Sequence, residues 1–492
     1  MDSVVKIFGT HAEPNYSLPW QRRRQTASTS SGFIIDGRRL LTNAHCVEHG
    51  RIKVRRRGHA TKFPARIVAV GVECDLALLE VPDPAFWEGA VAVRFGGTPL
   101  LQQKVVAVGF PLGGDTVSAT SGVVSRVEVQ SYTHGSSELL AVTIDAAINS
   151  GASGGAVFNA HSLECVGVSF QSMAGSGEAE LVGHAIPVTP IVRHFLGDVA
   201  RHGRYTGFPV LGVDWQRLES PSTRAALGMG PAQTGVFVRR VDRTAPAAGV
   251  VRAGDVLLAV DGVRLGNDGT IPFRPGERLA FSHAISTKFV GDAVALSLLR
   301  DGAAMAVSAS LRAPTRLAPV HLSGAPPSYM VWGGLVFTPL NLPFLKSEYG
   351  KEWEFEAPLR LLELATGWSA SPARPGQQVV VLSSVLTSDS ASDVTFGLED
   401  FANVRVASVD GVAIDSMAGL VGALEAAAAR ARAVKPAHRD RFARVALDYG
   451  QLLIVDAAAA EAATPGVMAT HGIEHDRSPD LRGGGGGKRA KR

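Results

Sequence analysis

Along the chain from Ser3 to about Leu196, short apolar runs alternate with polar positions at a period of two and are cut by Gly, Pro, Asn and Asp. The runs are GFIID, RRLLTNA, RIKVRR, ARIVAV, LALLEV, KVVAVGF, SGVVSRVEV, LLAVTID and CVGVSF. Helical patterns of ten or more residues are nearly absent here, and this many strands at this spacing predict an all-β barrel or sandwich pair. A connector from Arg201 to Pro209 leads into a second stretch, Tyr205 to Leu311, where strands flank an Ala/Leu-containing segment, Pro275 to Lys288, so an α+β arrangement is predicted. A Pro-rich stretch, Ala313 to Pro327, reads as a semi-rigid spacer. A third unit then runs from Ser328 to Ala469, followed by a tail that ends in GGGGG and KRAKR.

The second and third stretches echo each other. VLLAVDGVRL spans Val256 to Leu265 and VRVASVDGVAI spans Val404 to Ile414. Each is a strand closing on an Asp-Gly turn, Asp261-Gly262 or Asp410-Gly411, where a hairpin of the primed type needs positive φ. Two copies of one small α+β module account for the echo; a chance pair of common turns is the alternative.

Composition narrows the class. At 492 residues the chain predicts about three domains at ~150 residues each. Hydrophobic residues at 46% and charged residues at 19% exclude a disordered polyampholyte. The net charge of +4, from 49 basic and 45 acidic residues, is too small to argue for nucleic acid as a partner. Lys53, Arg55, Arg56, Arg57 and Lys62 form a basic strip that fits either RNA or a solvated barrel strand. No apolar run reaches the ~18 residues of a membrane-spanning helix. The opening SVVKIF has no basic n-region or apolar h-region, so no signal peptide is expected unless the native N-terminus is longer. Three cysteines, Cys46, Cys74 and Cys165, cannot all pair within one chain and point to a reducing compartment. No metal-ligand spacing or phosphate-cradling glycine motif stands out, so neither a cofactor nor a metal is expected.

The chemistry lies in the first unit. Asn149-Ser150-Gly151-Ala152-Ser153-Gly154-Gly155 sets one serine among small residues, where its hydroxyl is exposed and a carbonyl can approach the backbone. The same motif fits an ordinary Gly-rich loop, or a nucleophile elbow; the elbow needs a helix directly after the serine, and here AVFN, a turn and CVGVSF read as a hairpin. A serine needs a base, and an imidazole needs a carboxylate to fix its tautomer. His45 in LLTNAHCV joins a β-run to a small-residue turn, and Asp75 opens the apolar run DLALLEV. Alone, these are a loop histidine and a strand-edge aspartate. Together they give the order His, Asp, Ser, at spacings of 30 and 78 residues, the order of a double-barrel serine protease.

TNAHCV, CDLALLEV, GFPLGGD, SGVVSR and DAAINSGASGGAVFN resemble the HtrA/Deg family of ATP-independent serine endopeptidases, over the whole of Ser3 to about Leu196. FPVLGV resembles that family's PDZ carboxylate-binding loop, and GVVRAGDVLLAVDGV its most recognisable PDZ stretch. In the third unit the corresponding Ala-Gly-Asp is replaced by Glu399-Asp400-Phe401-Ala402-Asn403, as in a degenerate second PDZ domain of plant and algal members; PPSY, SEYGKE and LDYGQLLIVD look most like their nuclear branch.

The resemblance implies a mainly β protein, a chymotrypsin-like double β-barrel followed by two α+β PDZ-type domains. The divisions would be 1–200 for the protease, 205–312 and 328–469 for the PDZ domains, 313–327 for the linker and 470–492 for a disordered Gly/basic tail. It implies that Ser153 is the nucleophile, His45 the base and Asp75 its orienting carboxylate, with the N–H groups of Gly151 and Ser153 as the oxyanion hole. Ala147, six before the nucleophile, would line the primary pocket with Ile148, Val168 and Phe170. An uncharged Ala147 argues against cleavage after Lys or Arg and for small or aliphatic residues. Leu211, Gly212 and Val213 would hold peptide C-termini. Two departures bear on the loop: the family has Asn where this chain has Ala152, and Pro where it has Ser150. The implied activity is proteolysis of unfolded or damaged proteins by a trimer-based or larger homo-oligomer; a catalytically silent chaperone or scaffold of the same fold is the alternative. KRAKR resembles a nuclear-localisation cluster, so nucleus or nucleolus is the expected location, with cytoplasm or an organelle if the N-terminus is longer. Cys46 and Cys74 flank the triad and are either a redox pair or two packed apolar side chains.

Overall fold

A computed structural model of the chain describes residues 1–132, 137–149, 151–170, 182–366, 370–435 and 438–482. The chain divides into two compact units, one of residues Met1–Glu13 and Arg24–Pro314, the other of Pro14–Arg23 and the residues from Thr315 onward.

The first unit opens with six strands: β1 (Val4–His11), β2 (Thr26–Ile35), β3 (Arg39–Thr42), β4 (Gly50–Arg56), β5 (Phe63–Gly71) and β6 (Leu76–Glu80). They close into a barrel in the order β1-β2-β3-β6-β5-β4. Six more come after them: β7 (Lys104–Gly109), β8 (Ser118–Tyr132), β9 (Ser137–Ile144), β10 (Ala156–Asn159), β11 (Cys165–Phe170) and β12 (Gly183–Pro187). These close as β10-β11-β12-β9-β8-β7. Closure removes the open edges that a flat sheet of such strands would present. The alternating positions turn inward as predicted: Val5, Ile7, Leu40, Val54 and Leu79 fill the first barrel, and Val105, Val124, Leu140, Ile144 and Ile186 the second.

Helix α1 (Arg193–His202) ends the double barrel at Gly203 in the left-handed conformation. His194 on this helix is stacked between Phe208 and Phe289, with ring centroids 4.2 and 4.5 Å away. Its Nε2–H donates to the Lys288 carbonyl at 2.7 Å. Burial holds its pKa below that of free imidazole, so the ring serves as a neutral slab seating the next domain on the barrels.

That domain contains β13 (Val213–Arg217), α2 (Pro221–Ala226), β14 (Val236–Val241), β15 (Val256–Val260), β16 (Val263–Arg264), β17 (Thr270–Arg274), β18 (Glu277–Ala280), α3 (Ser282–Ser286), β19 (Ala293–Arg300) and β20 (Ala303–Ser310). Its main sheet runs β13-β14-β15-β19-β20, over a core that includes Leu211, Val238, Leu257, Val260, Ile285 and Leu296.

The second unit contains β21 (Met330–Trp332), β22 (Leu335–Pro339), α4 (Leu342–Tyr349), α5 (Trp353–Glu356), α6 (Leu359–Ala365), β23 (Val380–Val385), α7 (Ser392–Thr395), β24 (Val404–Val409), β25 (Val412–Ala413), α8 (Met417–Arg432), β26 (Phe442–Leu447), β27 (Leu452–Asp456) and α9 (Ala457–His471). The sheet order is β21-β22-β23-β24-β26-β27. The echoed turns have the same geometry in both modules: φ is +47° and +79° at Asp261-Gly262, and +49° and +81° at Asp410-Gly411.

Three expectations change here. The Pro-rich stretch is not a spacer throughout, because Leu317 and Ala318 are buried in a core with Leu340, Phe344 and Trp353, and the Leu317 N–H donates to the Ala370 carbonyl at 2.9 Å. Residues 470–482, expected in a disordered tail, pack on this unit: Ile473 and Ser478 are buried, and Arg477 bridges Met330 of β21. Pro14–Arg23, expected within the 1–200 protease division, belongs to this unit, with the Trp20 ring 5.8 Å from that of Tyr329. GGGGG and KRAKR lie outside the described residues.

Candidate active site

His45 stands at the end of β3, on a single helical turn closed by the N–H groups of Val47 and Glu48 on the Ala44 carbonyl, at 3.0 and 3.1 Å. Asp75 immediately precedes β6 in the left-handed region, at φ +51°, strain of the kind that packing holds in place at functional sites. The two side chains meet. His45 Nδ1 lies 2.8 Å from Asp75 Oδ2 and 3.0 Å from Oδ1, and the His45 backbone N–H donates to Oδ1 at 3.0 Å. Asn43 Nδ2 donates to the Asp75 carbonyl at 2.8 Å, fixing the aspartate from the strand that carries the histidine. Asp75 is 3% exposed, so its charge is felt at low dielectric. Burial opposes the imidazolium, but the charge and hydrogen bond of Asp75, with Cys46 beside it, outweigh burial and raise the His45 pKa above that of free imidazole.

Ser153 lies on the turn before β10 and is buried. Its carbonyl accepts the Ser31 N–H at 2.9 Å and faces Cys46 Sγ at 4.0 Å, so the residue next to His45 touches the residue expected to be the nucleophile. The Ala152 N–H donates to the Asn149 carbonyl at 2.9 Å, and Gly151 has φ +91°. A positive φ of this size favours glycine. A Cβ at Gly151 would lie 2.5 Å from the Leu112 nitrogen, so glycine is required twice over. Ser150 lies outside the described residues. The Ala152 carbonyl is taken by Ser169 Oγ at 2.7 Å.

Of the expected pocket residues, Ala147 and Ile148 line a small cavity with Ala107, Gly109, Pro111 and Ala152. Ile148 presses on Gly183, where a Cβ would come within 2.7 Å of it. Phe170 packs against Tyr132, with ring centroids 5.2 Å apart. Val168 has no exposed surface and belongs to the barrel core, because every residue of β11 is buried. In the first PDZ-type module Leu211 is buried, Gly212 has φ +73° and Val213 opens β13. The carbonyls of Leu211 and Gly212 accept N–H groups of Ala247 and Asp242 at 3.3 and 3.0 Å.

The cysteines and the basic strip each have partners within the barrels. All three cysteines are free and buried, with Cys46 inside the first barrel and Cys74 in the other core cluster. Burial, then the Glu73 charge, pushes the Cys74 thiol well up, which leaves it unreactive. In the basic strip, Arg56 is buried and donates to the carbonyls of Phe86, Glu88 and Gly89, while Arg55 pairs with Asp115 and Arg57 with Asp2. Among the described residues no group of His, Cys, Asp and Glu is arranged to hold a metal ion, and no helix is long and apolar enough to cross a membrane.

Residues 30–168 match the profile of a trypsin-like peptidase domain, and 209–311 and 318–480 each match a PDZ domain. The chain is 43% identical over 482 residues to the Arabidopsis thaliana protein named Protease Do-like 2, chloroplastic, covering 98% of this chain and 75% of that one. It is 36% identical over 426 residues to Protease Do-like 4, mitochondrial, of the same plant, covering 86% and 77%. Among solved structures, the HtrA-type protease AlgW with tripeptide is 25% identical with a TM-score of 0.50, covering 64% of this chain and 95% of that chain.

Proposed function

Because the chain belongs to the HtrA/Deg family of serine endopeptidases, we propose that Ser153, His45 and Asp75 are its catalytic triad. In this reading Ser153 Oγ attacks the scissile carbonyl and His45 takes the proton. Asp75 holds Nδ1–H and stabilises the imidazolium, and His45 then returns the proton to the leaving amine. Water repeats the cycle on the acyl-enzyme. The N–H groups of Gly151 and Ser153 receive the oxyanion, where a donor is worth ~3 kcal/mol. The observation that carries the reading is the buried Asp75 carboxylate accepting both the ring and the backbone N–H of His45, beside the loop that bears Ser153. The positive φ of Gly151 supports a working loop over the silent-scaffold alternative.

Ile148 filling the space beside Gly183 supports cleavage after small or aliphatic residues in unfolded segments. Strand β13 has a single strand neighbour among the described residues, β14. That supports peptide C-termini pairing with β13, their carboxylate held by the N–H groups of Leu211, Gly212 and Val213. PDZ-mediated regulation, assembly into a trimer-based homo-oligomer and a nuclear address carried by KRAKR complete the proposal; light scattering of the purified chain and fluorescence of a tagged chain test the last two. Digestion of a denatured protein by wild type and by Ser153→Ala tests the activity, with mass-spectrometric mapping of the cuts. Wild type should cut after Ala, Val, Ile or Leu, and Ser153→Ala should not cut. Equal proteolysis by the two, or a majority of cuts after Lys or Arg, contradicts the triad or the pocket respectively.

A further inference from the structure

Ser31 touches both residues of the proposed oxyanion hole. It lies on β2 opposite Lys6 of β1 and is fully buried. Its backbone N–H donates to the Ser153 carbonyl at 2.9 Å, and its hydroxyl donates to the Gly151 carbonyl at 2.8 Å. The same hydroxyl accepts the Phe110 N–H at 2.7 Å, and the Ser31 carbonyl accepts Thr42 Oγ1 at 2.7 Å. The hydroxyl therefore has one donated and one accepted bond, both to backbone, and its rotor is fixed.

A residue's N–H and C=O lie in adjacent peptide planes joined through its φ and ψ, so a held carbonyl fixes the plane after the Cα and limits the torsions through which the N–H before it can turn. Ser31 holds the carbonyl at Gly151 and at Ser153, at both ends of the three-residue segment. The anchoring comes from outside the loop, and the loop itself has little to offer, since Ala152 carries no polar side chain. The approach is close enough that neighbouring Gly109 must lack a side chain: a Cβ there would lie 2.9 Å from both Ser31 Oγ and the Ala152 Cα. The Phe110 loop is pinned in turn by Lys6 Nζ and Arg55, 2.9 and 2.8 Å from Asp115 Oδ1.

We propose that Ser31 is a positioning residue of the oxyanion hole, its hydroxyl and N–H helping to set the two donors in the geometry that the tetrahedral intermediate needs. This rests on the protease reading of Ser153 above. Preorganised donors cost nothing to align during reaction, so loss of the anchor falls on kcat and on transition-state analogues more than on ground-state binding.

Kinetics on a peptide substrate test it, with a peptidyl aldehyde whose hemiacetal mimics the intermediate. Ser31→Ala should lower kcat by about 10- to 100-fold, less than the loss of a direct donor, with KM within about twofold. The aldehyde's inhibition constant should rise by the same factor as kcat/KM falls. Ser31→Cys, of nearly the same shape and a weaker donor, should lie between the two, and it serves if the alanine variant does not fold. Ser383→Ala, which removes a buried hydroxyl–carbonyl bond in the second unit, should change none of these constants. A Ser31 variant with kcat within about twofold of wild type, or a loss of kcat without loss of aldehyde affinity, overturns the proposal and leaves the triad standing. If wild type and Ser153→Ala are indistinguishable in the same assay, the protease reading falls and the proposal with it.

Discussion

In the first PDZ module the strand β15 closes on Asp261-Gly262, and in the second β24 closes on Asp410-Gly411; the hydrogen bonds around the two turns match one for one. The aspartate N–H donates to the carbonyl of Ala295 or Arg444, at 2.8 Å in each. The aspartate carboxylate accepts the N–H of that same residue, at 2.9 Å in each. A cation from the neighbouring helical segment pairs with it, Lys288 at 2.8 Å or Arg430 at 2.7 Å. The modules part at the opposite edge. Strand β13 has one strand neighbour among the described residues, whereas β22 is paired with β23 on one side and β21 on the other. The Gly333 N–H before β22 is already taken by Thr464 Oγ1 of α9, at 2.9 Å. Turn chemistry preserves the fold of a repeated module, and what lies along its edge strand decides what it can bind.

The largest expected effects come from filling the glycine before β13 and the glycine before β22. A Cβ at Gly212, at φ +73°, would lie 2.1 Å from that of Ala245, so Gly212→Val should lower the affinity of the full chain for a hydrophobic C-terminal peptide at least about tenfold, measured by titration calorimetry. Gly333→Val meets Ala460 at 2.5 Å and should instead cost about 2–4 kcal/mol of stability, with peptide affinity unchanged. If Gly333→Val weakened the peptide as much as Gly212→Val, the two edges would not differ. Thr464→Val leaves the Gly333 N–H buried without an acceptor; it should cost about 1–3 kcal/mol, seen as faster hydrogen exchange at Gly333. Asp261→Ala and Asp410→Ala probe the shared part, and should each cost about 1 kcal/mol in denaturant unfolding, alike to within about half of that. A large inequality would mean that the turns are not equivalent.

The smallest effect is a pH dependence of the first module's seat. Burial lowers the pKa of His194 and of His283 in the folded state, so the unfolded chain binds more protons below about pH 6.5. Stability is therefore full above that pH and falls as the pH drops through and below it, by at most ~1.4 kcal/mol per pH unit for each histidine. His194→Phe, which keeps the aromatic stack, should flatten part of that fall in denaturant midpoints taken from about pH 7.5 to 5.

The proposed triad stands out in the sequence because its residue types are rare in their settings: a histidine after an apolar strand, an aspartate before one, a serine in a glycine run. The twin turns were legible because Asp-Gly demands one conformation. Ser31 was not, since a serine in TASTSSGFII looks like any polar residue of a half-solvated strand until the strand is closed into a barrel against Gly151 and Phe110. The burial of Leu317 and Ala318 escaped for the reverse reason: proline punctuation marks a break in regular structure, which is not a break in packing. Alternation supplies two faces to a strand, yet every residue of β11, Val168 included, is buried. Pro14–Arg23 falls in the 1–200 division by chain order alone, whereas the partners of Tyr16 and Trp20 lie some 300 residues on.

Reaction with a fluorophosphonate, followed by intact-mass and peptide-mass measurement, tests the central claim most directly. One phosphonyl group should appear on Ser153, with a rate that rises with pH through an imidazole pKa above 6.5, as the Asp75 charge requires. In Asp75→Asn that rise should move to lower pH while the rate falls, and His45→Ala should slow labelling at least about 10³-fold. Label on another residue, or equal rates in wild type and His45→Ala, would contradict a Ser153 nucleophile activated by His45 and Asp75.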